Sequence, residues 1–97
     1  MPNADDILTT LRTALPELRR RWPIHSLALF GSVARGDADP ASDLDVLVEF
    51  ERPVTLSAFL ALEDELAGLT GRQIDLVSAA ALKPHIGRRV RAEAVTV

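Results

Sequence analysis

Between Pro23 and Gly31 the chain carries Ile24-His25-Ser26-Leu27-Ala28-Leu29-Phe30, an apolar run closed at both ends by residues that interrupt regular structure. A core helix needs roughly 10 or more residues, so a run this short reads as a strand. Leu27, Ala28, Leu29 and Phe30 are expected to be largely buried in it. A second run, Asp43 to Phe50, alternates in the manner of a sheet strand. Leu44, Val46, Val48 and Phe50 fall on one face, and Asp43, Asp45, Leu47 and Glu49 on the other. A third, Gln73 to Val77, sets Ile74 and Leu76 opposite Asp75.

The segments between these strands have helical periodicity. Leu8, Leu11, Leu15, Leu18 and Trp22 recur at three- and four-residue steps, which predicts one apolar stripe on a helix over residues 4 to 21. Asn3 can cap its start, and Asp5 and Asp6 suit its positive end. Pro16 lacks a backbone donor and is expected to kink the helix or begin a second turn. After Gly31, Ser32 to Arg35 allows a short helical excursion, and Gly36 to Ser42 reads as an exposed loop. A helix from Thr55 or Ser57 to about Leu69 would bury Leu56, Phe59, Leu62, Leu66 and Leu69, with Gly71 near its C-cap. A last helix is expected over Ala79 to Glu93, interrupted at Pro84. The order helix, strand, strand, helix, strand, helix predicts an α/β (α+β two-layer) fold, a small mixed β-sheet covered by helices. With 97 residues, one domain over 1–97 is expected.

Composition narrows the partners. A formal net charge of −3 does not suit a surface built to neutralise many phosphates, so no direct nucleic-acid binding is expected. Basic residues cluster at Arg19-Arg20-Arg21, read as a solvated helix end, and at Arg88-Arg89-Val90-Arg91, whose contact with nucleotide or partner the sequence does not decide. The absence of cysteine removes disulfides and thiolate metal sites. The acidic N-terminus leads into no long apolar run, so no membrane association and a cytoplasmic location are expected.

Chemistry concentrates around the second strand. Between Gly31 and Glu51 there are six acidic residues and one base, Arg35. Two strand residues apart, Asp43 and Asp45 leave one face with Cα atoms ~6.6 Å apart, and a strand carrying Asp75 alongside would bring a third carboxylate. Unscreened, three such groups repel until one protonates; one or two Mg²⁺ ions would keep all three ionised. Gly31 lets backbone approach a phosphate closely, while the Ser32 hydroxyl and nearby N–H groups donate to it and Arg35 screens its charge. Such a set suits in-line phosphoryl transfer, with Asp75 accepting a proton from the attacking hydroxyl. An Asp-x-Asp pair alone is commonly a solvated strand face, and a lone Gly-Ser a turn; their conjunction after an apolar strand, with Asp75 on a later one, is specific.

Leu29-Phe30-Gly31-Ser32-Val33-Ala34-Arg35-Gly36, then Ser42-Asp43-Leu44-Asp45-Val46-Leu47-Val48 and Gln73-Ile74-Asp75-Leu76-Val77-Ser78, resembles the minimal nucleotidyltransferase family of the DNA polymerase β superfold. The resemblance covers Ile24 to Ser78 without departure at the motif positions. It implies Mg²⁺ ligands at Asp43, Asp45 and Asp75, two ions, and ATP as substrate held by Gly31, Ser32, Arg35 and Ser42. It also implies an antitoxin role. Family members are commonly antitoxins of a HEPN-type ribonuclease toxin, and several silence it by transferring AMP to a toxin tyrosine, in a type VII-like toxin–antitoxin pair. Two other readings stay open: a stoichiometric binding antitoxin that masks the toxin without catalysis, and nucleotidyl transfer to a small molecule or RNA end. His25 and His85 lie outside the acidic constellation and are given no role.

Overall fold

A computed structural model of the protein describes residues 3–37 and 42–97. Its elements are α1 (Ala4–Arg21), β1 (Ile24–Phe30), α2 (Gly31–Arg35), β2 (Leu44–Phe50), α3 (Leu56–Thr70), β3 (Ile74–Ser78), a 3₁₀ turn (Ala79–Ala81), α4 (Pro84–Glu93) and β4 (Val95–Thr96). Of the loop expected at Gly36–Ser42, residues 38–41 lie outside the described residues.

The four strands form one sheet in the order β3-β2-β1-β4, mixed as expected: β2 and β3 run parallel, and the other pairs are antiparallel. Leu27 and Leu29 of β1, Leu44, Val46 and Val48 of β2, and Ile74 and Leu76 of β3 share one sheet face. This face packs in one cluster with Ile7, Leu8, Leu11 and Leu18 of α1 and Leu62 and Leu66 of α3. Asn3 and Asp6 close a reciprocal capping box at the start of α1. At its other end the Trp22 indole N–H donates to the carbonyl of Ala58, 2.9 Å away, which ties α1 to α3.

Several expectations are corrected. Pro16 does not divide α1, which runs through it as one element; Pro16 is exposed, on the side away from the core. Phe30 is only half-buried, at the end of β1 where the chain turns. Leu47 does lie on the Asp45 face of β2, as expected, and is buried there between Ala28 and Val77 on the flanking strands. The ends of the α3 stripe are not buried: Leu56 is 71% and Leu69 37% exposed, since only the middle turns of the helix reach the core. Pro84 does not interrupt a helix but starts α4, where its missing N–H has no intrahelical partner to lose. Before it, Ala79–Ala81 is a separate 3₁₀ turn.

The short β4 was not anticipated. It pairs Thr96 with Ala28 and Val95 with Leu29, so β1 is no longer an edge strand. Its position is reinforced by Val97 N–H donating to the Leu27 carbonyl and Arg12 Nη2 donating to the Thr96 carbonyl, each at 2.9 Å.

Candidate functional site

The sheet face opposite α1 and α3 carries a row of residues in lateral register: Phe30 on β1 beside Asp45 on β2, and Asp45 beside Asp75 on β3. Neighbouring strands lie ~4.8 Å apart, so parallel pairing at this register forces the two carboxylates together. At that separation a side-chain hydrogen bond between them favours the protonated form of Asp45. Burial, chiefly, then the charge of Asp75 and that bond, and then the charge of Asp43, raise the Asp45 pKa above its ordinary value; Arg35 opposes them. Asp45 is half-buried, whereas Asp75 and Asp43 are exposed.

Asp43 precedes β2, which begins at Leu44, so the strand pleat does not hold it in the Asp45–Asp75 row. Its segment is fastened from β3 instead. Arg72 Nη2 donates to the Ser42 carbonyl at 2.7 Å, and Leu44 N–H donates to the Gln73 carbonyl at 2.9 Å. Sequence reasoning missed Arg72; its only signal was a base at the entry to β3, directly after the Gly71 cap. Among the described residues, no group of three or more His, Cys, Asp or Glu side chains is gathered closely enough to hold a metal ion. The pair of Asp45 and Asp75, with Asp43 near enough to act on it electrostatically, nevertheless has the donor chemistry of a hard-cation site: oxygen ligands and uncompensated negative charge.

Gly31 turns β1 into α2 at φ +73°, a conformation few side chains tolerate. A Cβ there would land on the Asp45 carboxylate and come within 3.3 Å of Asp45 Cβ. The Gly31 backbone and Asp45 are therefore in direct apposition, and Ser32, the next residue, is half-buried. Arg35, in the last turn of α2, is exposed and paired with Asp37 at 3.2 Å and with Glu93 of α4 at 3.5 Å.

A cavity of about 250 Å³ opens beside Gly31, between α2 and α4. A wider, largely apolar groove of about 590 Å³, with Phe50, Val54, Leu56 and Phe59 on its walls, lies at the opposite end of β2 from Asp45. The first basic cluster has structural partners: Arg19 donates to the His25 carbonyl, Arg20 pairs with Glu17, and Arg21 pairs with Glu65 and stacks over Trp22. His25 and His85 are both exposed, and neither is among the residues that line the cavity beside Gly31.

Comparison with known proteins gives a consistent outcome. The family profile of the nucleotidyltransferase domain matches residues 11–96. The protein adenylyltransferase MntA of Thermococcus cleftensis is 38% identical over 97 residues, an alignment that spans 100% of this chain and 98% of the relative. A solved structure described as a minimal nucleotidyltransferase superposes with a TM-score of 0.85 at 34% identity, covering 99% of this chain and 97% of that one. The same fold recurs, at 20% identity and a TM-score of 0.69, in a complex of a tri-AMPylated Shewanella oneidensis HEPN toxin with its MNT antitoxin, covering 93% of this chain and 70% of that one. No described helix is long and apolar enough to cross a membrane.

Proposed function

Because the chain belongs to the nucleotidyltransferase domain family, we propose that it transfers AMP from ATP to a tyrosine hydroxyl of a HEPN-type ribonuclease toxin and so acts as the antitoxin of that pair. The observation that carries this reading is the apposition of Asp45 and Asp75, in register on parallel strands, against the bare backbone of Gly31. Such an apposition would set a divalent cation beside a phosphate. The protein acceptor is supported by the adenylyltransferase name of the Thermococcus relative, aligned over its whole length, and by the toxin complex of the same fold.

In this mechanism Asp43, Asp45 and Asp75 would hold Mg²⁺, two ions in the full site, with the segment that carries Asp43 tethered by Arg72. Bound there, Mg²⁺ would neutralise the carboxylates and draw charge from the triphosphate. Gly31 admits the phosphates to within backbone reach, the Ser32 hydroxyl and adjoining N–H groups donate to them, and Ser42 adds a further contact. Arg35 screens the charge that accumulates on the leaving group. The tyrosine oxygen bonds to the α-phosphorus as the bond to the β-phosphate oxygen breaks; pyrophosphate departs, and the phenolic proton passes to Asp75, the exposed member of the pair. The residues thus work by positioning and electrostatic stabilisation rather than by covalent participation.

The test is mass spectrometry of the partner toxin after incubation with this protein and Mg²⁺-ATP. Mass increments of about 329 Da per AMP, absent with the Asp43→Ala, Asp45→Ala double variant, are expected. An unmodified toxin that still forms a tight, silent complex would replace this reading with that of a binding antitoxin.

A further inference from the structure

The last helix carries three arginines that its sequence cannot rank, and the fold separates them. Ile86, Arg89, Val90 and Glu93 recur at helical spacing along one face of α4, and this face, with Phe30, Gly31 and Arg35, lines the cavity of about 250 Å³. Arg91 points elsewhere and pairs with Glu49 of β2 at 3.6 Å. Arg88 is exposed and absent from the cavity lining.

Charge accounting at the cavity isolates Arg89. The cavity lining holds one carboxylate, Glu93, and the cation beside Gly31, Arg35, is already shared by Asp37 and Glu93. Arg89 lines the same cavity, and among the described residues it pairs with no carboxylate. Glu93 is engaged with Arg35 and leaves Arg89 free to take an anion. α4 itself is held to the sheet because the chain continues directly into β4, so the cavity wall is fixed relative to Gly31.

We infer that Arg89 is a second cationic contact for the terminal phosphates of the nucleotide, the part that leaves as pyrophosphate. This rests on the proposed nucleotidyltransferase reading and extends the binding site from the Gly-Ser turn onto α4. Arg89 acts on β- and γ-phosphates, so it distinguishes nucleoside triphosphates from monophosphates and does not bear on the base.

The test measures, by isothermal titration calorimetry with Mg²⁺, the affinities of wild type, Arg89→Gln, Arg89→Lys and Arg88→Gln for α,β-methylene-ATP, which cannot donate AMP, and for AMP. Loss of a charge-assisted hydrogen bond is expected to weaken the triphosphate by about tenfold or more in Arg89→Gln, with AMP unchanged. Arg89→Lys should recover part of the loss, and Arg88→Gln should match wild type. Because each variant is read as a ratio of two ligands, a partly unfolded sample does not mimic the effect. An unchanged ratio in Arg89→Gln, or an equal loss for both ligands, overturns the inference and leaves the nucleotidyltransferase reading intact. A wild type that binds neither ligand would sink that reading first, and this inference with it.

Discussion

Replacing Gly31 by alanine separates a backbone requirement from a contact, because Gly71 supplies an internal control. Both glycines have left-handed φ, +73° at Gly31 and +67° at Gly71, so alanine pays a similar conformational penalty at each, roughly 1–2 kcal/mol. Around Gly71 a new Cβ meets nothing within 4 Å, whereas at Gly31 it falls on the Asp45 carboxylate. Asp45 must then leave its rotamer, which adds roughly 0.5–1.5 kcal/mol. Gly31→Ala should therefore destabilise by about 1.5–3.5 kcal/mol in total, and Gly71→Ala by about 1–2. Equilibrium urea unfolding, compared by midpoint at constant slope, resolves the difference. Transfer activity gives the second readout: Gly31→Ala displaces Asp45 from Asp75 and should abolish it, while Gly71→Ala should retain it once folded. Equal destabilisation of the two variants, or an active Gly31→Ala, would refute the claim that the close approach of Asp45 requires glycine at position 31.

The Asp45 pKa also yields a prediction for the metal-free protein. A carboxyl whose folded pKa is raised stabilises the fold fully below its unfolded pKa, near 3.8, and that contribution is lost as pH rises through the folded value. In EDTA, Asp45→Asn should remove this slope and be more stable than wild type at pH 7; thermal melts across pH 4–8 that show the same slope in both proteins would contradict it. The two kinds of position on α3 should differ sharply. Leu62→Ala, at 0% exposure, should cost about 2–5 kcal/mol. Leu56→Ala, at 71% exposure, should stay within about 0.5 kcal/mol. Urea titration of the pair checks both, and a large loss at Leu56 would mean that the groove it borders is closed in solution.

Local pattern was enough to locate much of the fold and of the candidate site. Strand and helix periodicity express nearest-neighbour geometry, and so Ile24–Phe30, the Asn3 cap, the Gly71 cap and the 15-residue α3 were legible within a residue or two. Gly31-Ser32 and Asp43-x-Asp45 were visible for the same reason, because each is a spacing along one strand or turn. Other features depended on pieces of chain distant in sequence. Asp75 meets Asp45 only because β3 pairs parallel to β2 in one register, and a shift of one residue would turn it to the helix-covered face. The burial of Leu47 comes from its two flanking strands, and the exposure of Leu56 and Leu69 from the limited reach of α3 over the core. The two residues of β4 carry too little pattern to be read alone and exist because β1 offers them an open edge. Arg72 and Arg89 likewise look like ordinary surface bases until folding sets one against the Ser42 carbonyl and the other beside Gly31. The sequence by itself determined which chemical groups are present and which elements bear them; only the tertiary structure decided which groups face one another, since pairing register and packing are long-range choices that no local window contains.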